Sequence, residues 1–236
     1  MNRPMRYPLL LLVAASLLAG CAHDPYPYRN GGPPVIDYDV PPQVIYRIDD
    51  HRFVTLENYR DCHHGVTYYN DAKQGIRQRL GRAGIENFQG RLINADPTGQ
   101  NIVIPSSAPP DIGCSDRGCT TSLLYSTDGG RTFHGYAYMN SFNPFKESRR
   151  FTIAVTQDAL YVVKANMFRL DSDRNPYIEK APLYPTADLS ALDRSKGQWA
   201  FGDKARPLPQ GLRSPSGQER FTCDPSIRPA NVPAPK

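Results

Sequence analysis

Short runs in which apolar and β-branched residues alternate with polar ones recur from Gln43 onward, each closed by a turn signal. They cover residues 44–48, 52–56, 66–69, 88–93, 101–104, 122–125, 132–139, 151–155 and 160–163. A period of two over such lengths is the mark of half-buried strands. Residues 91–104 read as strand, turn, strand, with Pro97 and Gly99 supplying the bend, and 151–163 repeat the plan around Thr156, Gln157 and Asp158. Only 73–81 and 188–195 look helix-capable, and both are short and weakly amphipathic. The expected fold is therefore mainly β: an antiparallel meander of hairpins, propeller-like or an open twisted sheet, with little helix. At about 40–45 residues per blade, the core allows about four propeller blades at most.

The N-terminus changes the picture. Arg3 and Arg6 precede an apolar run over 9–18, the length of a signal h-region and too short to span a bilayer. Leu18, Ala19, Gly20 and Cys21 then resemble the lipobox of bacterial lipoproteins, in which the chain is cut before the cysteine and the cysteine is acylated. Each buried CH₂ contributes about 0.8 kcal/mol, so several acyl chains hold a protein on a membrane face. Ala22 after the cysteine implies the outer membrane by the sorting rule of enteric-type bacteria. The expected organisation is a lipoprotein signal peptide over 1–20, a lipidated Pro/Tyr-rich tether over 21–42, a β-rich domain over 43–200 and a Pro-rich tail over 201–236. The tether could reach about 60–70 Å if extended as polyproline II.

With Cys21 lipidated, the other four of the five cysteines form an even set in an oxidising compartment, where disulfides are the default. Three pairings are possible. Cys114 with Cys119 would close a tight loop eased by Gly118, which leaves Cys62 to reach Cys223 and so tie down the tail. A metal reading of Cys62, His63 and His64 with His51 is set aside, because no spaced Cys or His pairs resemble a zinc module. No metal or other cofactor is expected beyond the acyl lipid on Cys21.

The most specific internal motif is Ser126-Thr127-Asp128-Gly129-Gly130-Arg131-Thr132-Phe133, which resembles the Asp-box hairpin. Asp128 can accept from turn amides, Gly130 allows positive φ, Ser126 and Thr132 complete the polar set, and Phe133 folds back as an apolar plug. This box is read as structural. It also occurs in sialidases, and Tyr46-Arg47-Ile48 resembles the start of a sialidase motif, but Asp49 stands where that motif has proline and the chain is short for such an enzyme. No nucleophile elbow, H-E-x-x-H, phosphate loop or dinucleotide fingerprint occurs, and adjacent Asp49 and Asp50 would point to opposite faces of a strand. No catalytic residue is assigned, and an enzyme is not expected.

Composition agrees with a folded, turn-rich domain: 39% hydrophobic and 10% aromatic residues exclude general disorder, while 23 prolines and 18 glycines break long helices. The net charge of +5 is scattered along the chain and makes no case for nucleic acid. Tyrosine is conspicuous, with 14 copies. Tyr68, Tyr69, Tyr136 and Tyr138 lie in β-rich stretches and are candidate partner-binding residues, since a rigid sheet presents tyrosine at low entropy cost.

Gln43 to Phe53 (Q-V-I-Y-R-I-D-D-H-R-F), then Cys62, Tyr68-Tyr69-Asn70-Asp71, Phe88-Gln89-Gly90-Arg91-Leu92, Asp111-Ile112-Gly113-Cys114 with Cys119, the Asp-box and Phe151-Thr152-Ile153-Ala154-Val155 carry a family resemblance. Over roughly 43–164 the chain resembles immunity lipoproteins paired with type VI secretion lipase effectors of the third lipase family. The resemblance implies a non-enzymatic inhibitor that faces the periplasm and binds an antibacterial phospholipase effector, blocking it sterically. The competing expectation is a structural or glycan-binding envelope lipoprotein with a propeller-like domain.

Overall fold

Alternating burial along the strands builds three sheets around one apolar core. The computed structural model describes residues 36–81, 84–165, 177–191, 208–232 and the backbone of 200–201. Cys21, the signal segment and the tether up to residue 35 lie outside the described residues. The first sheet is an antiparallel meander of β1 (Gln43–Arg47), β2 (Arg52–Asp61), β3 (His64–Asp71) and β4 (Ile76–Arg79), in that order. The second sheet places β12 (Ala200–Phe201), β11 (Tyr177–Pro182), β10 (Ala159–Lys164), β9 (Phe151–Val155) and β5 (Arg91–Asn94) side by side. The third is β6 (Ile102–Pro105), β7 (Cys119–Ser126) and β8 (His134–Ser141). The chain is thus mainly β, built of open sheets that are antiparallel except where β5 runs parallel to β9.

The hairpin read at 151–163 forms: β9 and β10 pair antiparallel from Leu160 opposite Val155 to Lys164 opposite Phe151. The one read at 91–104 does not. Its two strands enter different sheets, because Asn94 turns the corner with its side chain. Its Oδ1 accepts from the Val103 amide at 2.7 Å and its Nδ2 donates to the Val103 carbonyl at 3.0 Å, standing in for a strand partner. Asp96 then accepts from the amides of Thr98 and Asn101 and holds the bend without a ladder.

The helix-capable reading of 73–81 is also overturned. Asp71 accepts from the amides of Lys73 and Gln74, and Gly75 takes φ +66°, so the chain reverses into β4 instead of winding on. Arg77 on β4 then reaches across the sheet to grip Glu57 with two hydrogen bonds and lies 3.9 Å over the Tyr68 ring. Asp188–Ala191 form a turn, and the remainder of 188–195 lies outside the described residues. One helical turn went unread: α1 (Pro144–Glu147), started by Pro144 and capped by Asn143, whose side chain accepts from the Lys146 amide.

All three sheets contribute to the main core, with Tyr46, Leu56 and Tyr69 meeting Leu92, Ile153 and Leu160 and also Ile104, Leu123 and Tyr125. The second sheet is buried on both faces. Ile93, Ala154, Ala159 and Tyr161 point away from the main core and are covered by Leu208 and Leu212 of the C-terminal tail.

That tail is far more firmly held than its composition implied. The Thr222 amide donates to the Ile45 carbonyl, Ser216 to Ile48, and the Glu219 carbonyl accepts from the Leu92 amide, so the tail bonds to the free edges of both β1 and β5. Ser214 is buried between Tyr46 and the Asn94 amide, and Glu219 forms a two-bond ion pair with Arg91. The Cys62–Cys223 disulfide locks the arrangement across 161 residues of sequence, while Cys114–Cys119 closes a loop of five.

Loop-closure entropy makes the two bridges unequal. Cys62→Ser with Cys223→Ser should lower unfolding free energy by up to about 5 kcal/mol, and Cys114→Ser with Cys119→Ser by about 2 kcal/mol. Guanidinium unfolding of both double variants against wild type measures the difference, and equal losses would contradict the clamp assigned to the tail.

Candidate functional site

The strands run between two ends of different character. At one end lie the turns β1–β2, β3–β4, β5–β6, β7–β8 and β9–β10, each organised by an aspartate, asparagine or threonine side chain. In the β7–β8 turn, Asp128 Oδ1 accepts from Ser126 Oγ at 2.7 Å and from the Arg131 and Thr132 amides at 3.0 Å, and Oδ2 accepts from Thr132 Oγ at 2.6 Å. Ser126 Oγ in turn accepts from the Gly130 amide. Gly130 has φ +86°, and a Cβ there would run into the Tyr69 ring. Phe133 packs edge-on against Tyr69, with centroids 5.4 Å apart.

Neighbouring turns interlock with this one. The Gly129 amide donates to the Gln100 carbonyl, Arg131 donates to the Gln74 side chain, and Asn101 Nδ2 donates to the carbonyls of Thr156 and Gln157. Asp49 holds Arg52 through its side chain and amide, which makes Asp49-Asp50 a turn and not a carboxylate pair for chemistry. His51 with Asp49 and Asp50 brings three donor atoms within 4.8 Å, yet His51 Nδ1 is bonded to Asp50 and Asp49 is engaged by Arg52. With their polar atoms turned on one another, these turns form a stiff plate.

The four candidate tyrosines do not make a binding face. Tyr69, Tyr136 and Tyr138 are buried, and only Tyr68 is partly open, beneath Arg77. The strand alternation that places their rings inward is reinforced by the hydroxyls: Tyr138 donates to the Ser106 carbonyl at 2.7 Å and Tyr69 to the Gly129 carbonyl at 3.3 Å. Tyrosine here packs a core and ties loops to it.

The opposite end is organised around a cleft of about 620 Å³, lined by His63, His64 and Gly65 of the β2–β3 tip, Arg79, Glu86, Ser107, Pro109, Ile112 and the start of β7. His64 is held between two carboxylates, Nδ1 to Asp61 at 2.8 Å and Nε2 to Asp111 at 3.1 Å. His63 Nδ1 meets Asn87 Oδ1 at 2.8 Å, and its ring packs edge-on to Phe145 of α1 at 5.3 Å. Cys62, one residue away, is in its disulfide, so Cys62, His63, His64 and His51 do not assemble as ligands.

Two polar groups mark this end. Ser107 Oγ is buried without a hydrogen-bond partner. Glu86 is half-buried, and its desolvation pushes the carboxyl up to about 7, against the pull of its own amide and that of Gly65. Ile112 in the lining is 53% exposed, and Phe142, which follows Ser141 opposite Cys119 of the lining, is 71% exposed; these are the two most exposed large apolar side chains of the described residues. Sequence reading passed over Phe142 and Glu86 and met Ile112 only among the residues that carry the family resemblance. The available signal was Ser141-Phe142-Asn143-Pro144, a large aromatic inside a turn-forming string where no strand periodicity could bury it.

Asp128→Ala should cost about 1–2 kcal/mol of stability. Although burial raises the Asp128 pKa, its hydrogen bonds from Thr132, Ser126 and Arg131 outweigh that effect and hold it below the usual range. Its contribution is therefore present above the unfolded value near pH 4 and lost as pH falls through the folded one, so the difference between variant and wild-type melts should shrink below about pH 4. Glu86 has the opposite sign. With a raised folded pKa, the native state loses stability as pH climbs from about 4.5 to 7. Glu86→Gln should raise the melting temperature at pH 8, by on the order of 1–3 kcal/mol in free energy, and leave it nearly unchanged at pH 4; equal effects at both pH values would contradict the desolvated carboxyl.

Among the described residues no helix is long and apolar enough to cross a membrane. No curated relative matches the chain. The family model described as T6SS Tli3 immunity protein matches residues 38–164, which run from the entry into β1 to the end of β10 and take in the cleft, the Asp128 turn and all three hairpins of the first sheet. The match covers more than half of the sequence, and the chain belongs to the Tli3 family of type VI secretion immunity proteins.

Proposed function

We propose that this protein is a lipid-anchored periplasmic inhibitor that binds a type VI secretion phospholipase effector and shields the producing cell and its kin from it. Membership of the immunity family carries the reading. The lipobox ending at Cys21 supports an acyl anchor in the outer membrane, and the paired cysteines fit an oxidising compartment. The antibacterial phospholipase, as the partner, works on bilayers, so an inhibitor tethered to a bilayer meets it where its substrate lies. Tethering raises the inhibitor's effective concentration there without added contacts.

The mechanism is steric and needs no turnover by this chain. A standard interface of about 800 Å² per partner is enough to cover a substrate entrance when a few anchors are buried in it. Stiffness favours such binding, since few side chains and no sheet need be ordered on contact. The disulfide-held tail and interlocked turns supply that stiffness.

Deleting the gene should harm cells only while the neighbouring lipase effector gene is intact, and toxicity that persists without the effector would contradict the proposal. Cys21→Ser should move the protein from the membrane fraction to the soluble periplasmic fraction with its unfolding transition unchanged. Retention on membranes would sink the lipid anchor.

A further inference from the structure

The two ends of the molecule differ in what they leave unmet. At the Asp128 end the turns bond to one another, although Asp71 Oδ2 is buried there without a partner, and none of the six exposed large apolar residues (Val44, Ile112, Phe142, Tyr177, Tyr184, Val232) belongs to those five turns, Tyr184 lying next to Leu183, which bonds to Asp158. At the other end a cleft lies open with Ile112, the second most exposed of them, in its lining, and Phe142, the most exposed, follows Ser141, which pairs with Cys119 of the same lining. An exposed aromatic close to an open cleft has the form of a binding anchor, since interface hot spots are enriched in aromatic side chains that fill pockets.

The mount is continuous. Phe145 of α1 packs on His63, His63 on His64, and His64 bonds to Asp111, the neighbour of Ile112. Two residues on, Cys114 is bridged to Cys119, which pairs with Ser141 next to Phe142. The contacts thus tie the residues bearing Ile112 and Phe142 to the two cleft histidines in one closed ring. The backbone beside each anchor is held by a disulfide, a histidine–carboxylate bond and a strand pair.

Charge selects what enters. Glu86 lies in the cleft with no cation in ion-pair reach among the described residues. The nearby His64 and Asp61 side chains are already bonded to each other. Arg79 lines the same cleft without bonding to it. A half-buried carboxylate that lacks a positive partner weakens the free protein, and an incoming arginine or lysine would relieve that cost on binding. The partnerless Ser107 hydroxyl adds a donor and acceptor for the same guest.

We propose that the end formed by Phe142, Ile112 and the Glu86 cleft is the docking face for the effector, which inserts a loop carrying an apolar side chain flanked by an arginine or lysine. This inference rests on the immunity reading above and adds the surface and the chemistry of its partner.

The test uses the full-length lipoprotein in nanodiscs and, as probe, the purified lipase effector encoded beside its gene, with affinity read by biolayer interferometry. Phe142→Asp and Ile112→Asp should each weaken binding about tenfold or more, Glu86→Gln about threefold to tenfold, and Lys73→Glu on the opposite end less than twofold. Phe142 and Ile112 are exposed and Glu86→Gln is isosteric, so unfolding transitions check that each variant is folded; Phe142→Ser replaces any that is not. If wild type binds and all three variants bind within about twofold of it, the docking face is overturned while the immunity reading stands. If wild type does not bind, the immunity reading fails and takes this inference with it. Should Phe142→Asp instead abolish self-association in sedimentation, or binding to protein-free vesicles, with effector affinity unchanged, the face belongs to a second copy or to lipid and the proposal is wrong.

Discussion

The C-terminal tail, pinned by Cys62–Cys223, is the constraint on which the other features depend. Two open sheets leave β1 and β5 with unpaired edges, and such edges are sites of slippage and aggregation. The tail bonds to both, through Thr222 to Ile45 and Glu219 to Leu92, and so joins the first sheet to the second. It also roofs the outer face of the second sheet with Leu208 and Leu212. Without it, Ile93, Ala154 and Tyr161 would face water, and Tyr46 would lose the Ser214 hydroxyl that satisfies its own. The disulfide adds little contact of its own, yet by shortening the leash on the unfolded chain it makes this docking persistent.

The same bridge reaches the cleft end. Cys62 stands beside His63 and His64, whose contacts with Asn87, Phe145, Asp61 and Asp111 shape the cleft wall. A plate of interlocked turns closes one end and a braced cleft opens at the other, with the buried Ser107 hydroxyl, Glu86 and the exposed Ile112 in its lining. That distribution suits a protein that acts by occupying another's surface. Glu86 is the local cost of it: a carboxyl that destabilises the free molecule is tolerated where a partner can compensate, as binding sites trade stability for function.

Much of this was legible in the amino-acid order, and the rest was hidden for physical reasons. Period-two runs placed most strands, because a half-buried sheet imposes that alternation directly. The β9–β10 hairpin was readable because its turn is local. The fate of 91–104 was not, since the pairing of β5 with β9 spans some sixty residues and the corner depends on Asn94 imitating a strand backbone. Lys73 to Gly81 has helix-forming residues, but Asp71 and Gly75 spend the first turn on a reversal. Three of the four tyrosines read as a surface, Tyr69, Tyr136 and Tyr138, are core, because aromatic residues in strands serve packing and contact equally well and only burial separates the two. Phe142 and Glu86 left the opposite trace: one lies in a turn with no period to interpret, the other on a short 3₁₀ turn whose burial is set by distant loops.

The most direct measurement of the account is hydrogen–deuterium exchange of the full-length protein with and without the effector. Slowed exchange concentrated at residues 61–66, 108–122 and 141–147, with the Asp128 turn unchanged, is the predicted result. Protection centred on the turns at 48–51, 71–75 and 126–132, or none anywhere despite a stable complex, would contradict it.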